Sequence, residues 1–157
     1  MDEKNERKEL LLRAQRICSG REYCISDIRS LLERWGAGSE ETKAWVISRL
    51  TEDKFIDEQR YCRAFVIDHF RHSQWGKIKI TMSLKSKNIP AATIAAGLEA
   101  IDEEEYLNLL KKIIRDHRRS VKAKNMYDLK GKLLRYALGK GFESNLVYGI
   151  INSETGD

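Results

Sequence analysis

Two stretches of this chain repeat each other at a constant offset of 53 residues, and no other feature of the sequence limits the fold as much. Ile80, Leu84, Lys87, Asn88, Ile89, Ile94 and Leu98 align in order with Leu133, Ala137, Lys140, Gly141, Phe142, Val147 and Ile151. The apolar positions in each copy recur at helical spacing, broken once by a turn. At that turn Asn88 in one copy stands where Gly141 stands in the other. These residue types best tolerate the left-handed backbone conformation that ends a helix. The next residue, Ile89 or Phe142, is apolar and can fold back onto the helix just ended. Pro90 falls where the following helix begins, where its missing N–H is harmless.

An earlier segment follows the same plan more loosely. Ile28, Leu31 and Leu32 lead to Arg34-Trp35-Gly36, and Val46 and Leu50 follow after a longer turn. Each copy is preceded by one more helix, predicted at roughly 6–19, 58–72 and 103–119. The expected fold is all-α: three tandem three-helix repeats, at 1–57, 58–102 and 103–157, forming an elongated helical protein. A unit of about fifty residues has a marginal core alone, so the units are expected to lean on one another.

Local signals agree. Tyr106, Leu109, Leu110, Ile113, Ile114 and His117 form one continuous helical stripe. Shorter ones run through Ile94, Leu98 and Ile101, through Leu129, Leu133, Tyr136 and Ala137, and through Tyr61, Ala64, Phe65 and His69. Ser26, Ser39, Asp57 and Asp102 are candidate N-caps, each followed by acidic residues in the first turn. Asp102 and Glu105 have capping-box spacing. With a single proline and ten glycines, the chain permits long helices and not an all-β fold.

No stretch approaches the ~20 apolar residues that cross a bilayer. The run Met1-Asp2-Glu3-Lys4-Asn5-Glu6 is too polar for a signal peptide, so a cytoplasmic protein without membrane contact is expected. Cys18, Cys24 and Cys62 are odd in number and contain no C-x-x-C pair, and they read as small apolar fillers. Nothing resembles a phosphate-binding glycine loop or a nucleophile elbow. His69 and His72 could share a metal only with further ligands that the sequence does not suggest, and His117 reads as packed in its stripe. Asp102 to Glu105 is a helix N-terminus. The expectation is a non-enzyme that needs no cofactor or metal.

The net charge of +5 hides an asymmetry. Lys and Arg number 11 against two acids in residues 111–140, while the rest of the chain is near balance or slightly acidic. Such a concentration attracts nucleic acid or an acidic protein face. The candidate contacts are Lys77, Lys79, Lys85 and Lys87 around the middle helix of the second unit, and Lys130, Lys132, Arg135 and Lys140 around that of the third. Arg115, Arg118, Arg119, Lys122 and Lys124 form a further cluster before it. Lys77 and Lys130, Lys79 and Lys132, and Lys87 and Lys140 are again 53 residues apart. Trp35, Trp45 and Trp75 invite a reading as base-stacking platforms, with Trp45 better read as core and Trp75 the one placed for an exposed role.

The stretch Leu50-Thr51-Glu52-Asp53-Lys54-Phe55-Ile56-Asp57-Glu58-Gln59-Arg60-Tyr61-Cys62-Arg63-Ala64-Phe65-Val66 resembles the pattern of the RecX family. Gly76-Lys77-Ile78-Lys79-Ile80, with Leu84 and Lys87-Asn88-Ile89, is similar to that family's Gly-basic-Ile run and its Leu-x-x-Lys-Gly-Ile close. Glu58, Cys62 and Asn88 replace the usual Asp, Ala and Gly. The resemblance implies tandem three-helix repeats and a regulator that binds the RecA nucleoprotein filament, lying in its groove and dampening ATP hydrolysis and strand exchange. Direct contact with phosphates of single- or double-stranded DNA would accompany this. Charge and shape point to a monomer. The alternative is a helical protein that binds DNA without sequence preference, independently of RecA. Sequence-specific reading is disfavoured: Ala91–Leu98 and Glu143–Ile150 carry no basic residue where a recognition helix needs them, and the first unit offers only Lys43 and Arg49 beside Glu40 and Glu41.

Overall fold

The computed structural model describes residues 2–156. Met1, at the head of the polar N-terminal run, and Asp157, at the end of the third unit, therefore lie outside the described residues. Within them the chain is entirely helical. The elements are α1 (Glu3–Cys18), α2 (Ile25–Arg34), α3 (Glu40–Glu52), α4 (Glu58–Asp68), α5 (Lys77–Ser86), α6 (Ala91–Leu98), α7 (Glu103–Ser120), α8 (Met126–Gly139) and α9 (Ser144–Thr155). A single π-helical turn, His69–Ser73, extends α4 and stops at Gln74, which adopts φ 59°. The helix predicted over 58–72 thus changes its winding in its last turn, which sequence periodicity did not indicate.

Ser39, Asp57 and Asp102 cap α3, α4 and α7 as expected. Their side chains accept the backbone N–H of Thr42 at 3.1 Å, Arg60 at 3.0 Å and Glu105 at 3.0 Å. Ser26 does not cap α2. The N-cap is Cys24, two residues earlier, because Asp27 reaches back with its carboxylate to the Cys24 N–H at 3.4 Å.

Four helices end in the same way. Gly36, Lys54, Asn88 and Gly141 have φ of 90°, 62°, 61° and 96° after α2, α3, α5 and α8. In each case the next residue donates its N–H to the carbonyl five positions back: Ala37 to Leu32, Phe55 to Leu50, Ile89 to Leu84, and Phe142 to Ala137. This is the Schellman pattern, which satisfies carbonyls a helix end would otherwise leave bare. The apolar residue so turned back is buried at Ala37, Ile89 and Phe142.

The buried side chains form two cores. One joins Leu10, Ala14, Ile28, Leu32, Val46, Leu50 and Ile56 and belongs to α1–α3. The other runs without a break from Tyr61 and Val66 through Ile80, Tyr106 and Ile114 to Phe142 and Ile151. The second and third units therefore share one interior. The accessible surface of 9610 Å² exceeds the roughly 8,100 Å² of a compact monomer of this mass. The excess fits the expected elongated form.

The first unit meets the second through polar contacts. Lys87 Nζ pairs with Asp27 at 2.6 Å, Arg60 pairs with Glu22, and Glu58 accepts the Ile25 N–H at 3.2 Å. Cys24 crosses over to join the second core. It and Cys62 are buried fillers as read, while Cys18 is half-buried; all three are free thiols, and burial pushes Cys24 up to about 11.

The Asp27 contact sets a pH dependence. Burial pushes its carboxyl upward, but hydrogen bonds from Lys87 and Cys24 outweigh this and hold it below the ordinary 3.8. A carboxyl depressed in the folded state adds stability above that value and loses it as pH falls through the lowered one. Glu58 is raised by burial and offsets part of this. Asp27→Asn is expected to lower stability by about 1 kcal/mol at neutral pH and less at acid pH. Urea midpoints at both pH values test it, and an equal loss at each would contradict it.

Candidate functional site

The two Lys-bearing helices, α5 and α8, meet end to end. The N-terminus of α5 carries free N–H groups, and the C-terminus of α8 carries free carbonyls. Gly76 donates to the Lys140 carbonyl at 2.8 Å, and Ile78 donates to that of Gly141 at 2.9 Å. Between them the Lys77 N–H donates to the Tyr106 hydroxyl at 2.9 Å, and this hydroxyl donates in turn to Glu143. The approach requires glycine on both sides. A Cβ on Gly76 would lie 2.3 Å from the Gly141 carbonyl, and one on Gly141 would lie 2.3 Å from Lys79 Cβ.

This junction brings Lys77, Lys79 and Lys140 together but uses much of their reach. Lys77 pairs with Glu103 and lies 4.7 Å from the Tyr106 ring centre, Lys79 covers Trp75 at 4.7 Å, and Lys140 Nζ lies 3.4 Å from the Ser73 carbonyl. Lys87, at the far end of α5, is drawn away to Asp27.

Another part of the basic set clamps the ends of the third unit. Arg115 pairs with Glu154 at 2.7 Å, and Arg118 donates to the Glu154 carbonyl at 2.6 Å, at the C-terminus of α9. The hydrogen bond from Arg115 holds the Glu154 carboxyl below its usual range. Lys132 reaches Asp128 at 3.3 Å and the Lys122 carbonyl. The Lys124 N–H, donating at 3.0 Å, is the largest cause that lowers the Asp128 carboxyl. Lys130 is half-buried and engaged.

What stays available is smaller than the thirteen candidates. Lys85, Lys122, Lys124 and Arg135 are exposed, and their side chains make no ion pair among the described residues. Arg119 is 80% exposed and only 3.8 Å from Asp116. Four of these five, Arg119 at the end of α7, Lys122 and Lys124 in the following loop and Arg135 on α8, lie in the stretch that carries the basic excess.

The tryptophans are less available than expected. Arg13 covers Trp35 at 4.2 Å, Arg7 covers Trp45 at 4.6 Å, and His69 stacks on Trp75 at 4.1 Å and 13°. All three pack against a core while half-buried. His69 also contacts Ser73 Oγ through Nδ1 at 2.9 Å, and its burial lowers its proton affinity. His117 packs as read, stacked on Tyr136 at 3.8 Å. No group of three His, Cys, Asp or Glu among the described residues could hold a metal ion, and no described helix is long and apolar enough to cross a membrane. The sequence reading passed over Tyr127 and Tyr148, which are exposed and line a groove between α8 and α9. Their one signal was an aromatic residue off the buried stripe of its helix.

Fold and surface together define a tandem three-helix-repeat protein with a basic face on its third unit. Residues 57–98 match the family model of RecX, second three-helix domain. The chain is 31% identical over 110 residues to a regulatory protein RecX of Clostridium tetani, covering 68% of this chain and 50% of that protein. It is 27% identical over 113 residues to one of Oceanobacillus iheyensis, covering 71% of this chain and 41% of that one. The crystal structure of RecX from Lactobacillus salivarius superposes with a TM-score of 0.83 at 16% identity, over 98% of this chain and 99% of that one. That likeness concerns the fold. The resemblance read from the sequence holds: the chain is similar to RecX proteins in sequence and in fold. It spans about half the length, or less, of these curated relatives.

Proposed function

We propose that the chain is a non-catalytic, cytoplasmic regulator that binds the RecA nucleoprotein filament and dampens its ATP hydrolysis and strand exchange, acting as a monomer organised in units 1–57, 58–102 and 103–157. The match of residues 57–98 to the RecX second three-helix domain carries this reading. Two further features support it. An elongated chain of repeats suits a helical groove, and the unpaired cations near α8 supply attraction for a polyanionic filament. Dampening requires tighter binding to one filament state than to the other, since equal affinity shifts nothing.

The test is single-stranded-DNA-dependent ATP hydrolysis by RecA, titrated with this protein. Inhibition well below the RecA concentration is expected. Replacing Lys122, Lys124 and Arg135 with Ala together should weaken it roughly tenfold, since each lost charge contact removes of the order of 1 kcal/mol or less. These three are better probes than Lys132 or Lys140, whose loss would also free backbone carbonyls. Unchanged hydrolysis with salt-sensitive binding to naked DNA would favour the second reading, a non-specific DNA-binding protein independent of RecA. The basic excess of residues 111–140 is the observation behind that alternative.

A further inference from the structure

The groove between α8 and α9, about 430 Å³, brings together two tyrosine rings and a guanidinium that make no ring contact or ion pair among the described residues. Its floor includes Leu134 and Ile151, and its rim carries Tyr127, Tyr148, Lys130 and Arg135. Tyr127 is 89% exposed and Tyr148 is 53% exposed, and neither ring has an aromatic or cationic partner among the described residues. A tyrosine ordinarily buries much of its ring, so two exposed rings from different helices on one groove are an unused binding surface. Among the described residues Asp128 is the single acid lining the groove, and Lys132 and the Lys124 N–H already engage it. Arg135 at the rim is thus left without an ion-pair partner among the described residues.

Flat π faces over an apolar floor, with a guanidinium at the rim, fit a flat ring that carries an anion. Unpaired nucleobases along a phosphate backbone have that chemistry. A duplex does not, because its bases are stacked on one another and their faces are hidden. A second copy of this chain, with net charge +5, is disfavoured by repulsion.

We propose that the α8–α9 groove is a single-stranded DNA site, in which Tyr127 and Tyr148 stack on unpaired bases and Arg135 holds a flanking phosphate. The choice of DNA over RNA rests on the filament reading above, whereas the stacking itself does not.

The experiment measures fluorescence anisotropy of a labelled short oligothymidylate with the full chain and no recombinase. Tyr127→Ala and Tyr148→Ala are each expected to weaken binding roughly tenfold, and Tyr127→Trp to preserve it. The alanine changes should leave the salt dependence unaltered, while Arg135→Ala should reduce its slope by about 0.7. An abasic strand with the same phosphates should bind as weakly to the wild type as oligothymidylate does to the tyrosine variants. Helical circular dichroism should be the same in all variants, because both rings are exposed. The proposal is overturned if the wild type does not bind, if the tyrosine variants bind as it does, or if the abasic strand binds equally well. Tighter binding of oligouridylate would overturn the assignment to DNA. Inhibition of RecA with tyrosine-independent oligonucleotide binding would sink the groove and leave the filament reading standing. Tyrosine-dependent binding without inhibition would do the reverse.

Discussion

Gly76→Ala is expected to cost about 3–5 kcal/mol, a large part of the 5–15 kcal/mol that holds a domain of this size together. The added Cβ would lie 2.3 Å from Gly141 C and O and 2.5 Å from the Phe142 nitrogen. All three are backbone atoms at a tight turn, so no flexible side chain can yield. To admit the methyl group, the start of α5 must lift from the end of α8. That motion breaks the Gly76–Lys140 and Ile78–Gly141 hydrogen bonds and draws Lys77 from the Tyr106 hydroxyl. Each lost bond costs roughly 1 kcal/mol, and more where the freed group is out of reach of water. Gly139→Ala is the control, since a Cβ there meets nothing within 4 Å and should change stability by less than about 1 kcal/mol. Urea denaturation of the two variants checks the contrast. A Gly76→Ala midpoint near that of the wild type would mean the junction is softer than its geometry implies.

Phe142→Ala is expected to cost a similar 3–5 kcal/mol, by emptying the centre of the second core. Its ring is fully buried and lies 5.1 Å from that of Tyr106. The loss should be local in a readable way. Trp35 and Trp45 pack against the first core, and Trp75 packs against the second. Fluorescence of a protein keeping Trp75 alone should therefore shift to a lower urea midpoint, while one keeping only Trp35 and Trp45 shifts much less. Equal shifts of both signals would show that the polar contact at Asp27 and Lys87 couples the cores as tightly as shared apolar packing does. A single two-state description would then suffice for the chain.

The architecture was legible because the features that make it are local. A residue able to take positive φ, followed by an apolar one, is a sequence statement of a Schellman end, and Asn88-Ile89 and Gly141-Phe142 state it plainly. Lys54 takes the same conformation without being a residue that announces it. The π turn after Asp68 has no compositional mark. The basic set was legible as composition and not as availability. Lys77, Lys87 and Lys140 find partners 26, 60 and 67 residues away in the chain, and only the folded arrangement decides which cations remain free. Tyr127 and Tyr148 were passed over for a related reason. Each lies outside the apolar stripe of its own helix, and the groove exists only once the two helices are side by side.

The shared interior of the second and third units also imposes an order on events during synthesis. The first core is complete once Ile56 is available, whereas the second needs Leu133, Phe142 and Ile151. At about 5–20 residues per second, roughly 5–20 s of translation separate the two. Until α8 and α9 are made, the helices before them keep uncovered the apolar surface that Leu133, Phe142 and Ile151 will bury, and the first amides of α5 have no carbonyl to bind. A ribosome stalled before Gly141 would therefore carry one protease-resistant unit followed by a cleavable one, and resistance of the second would arrive only with the last two helices.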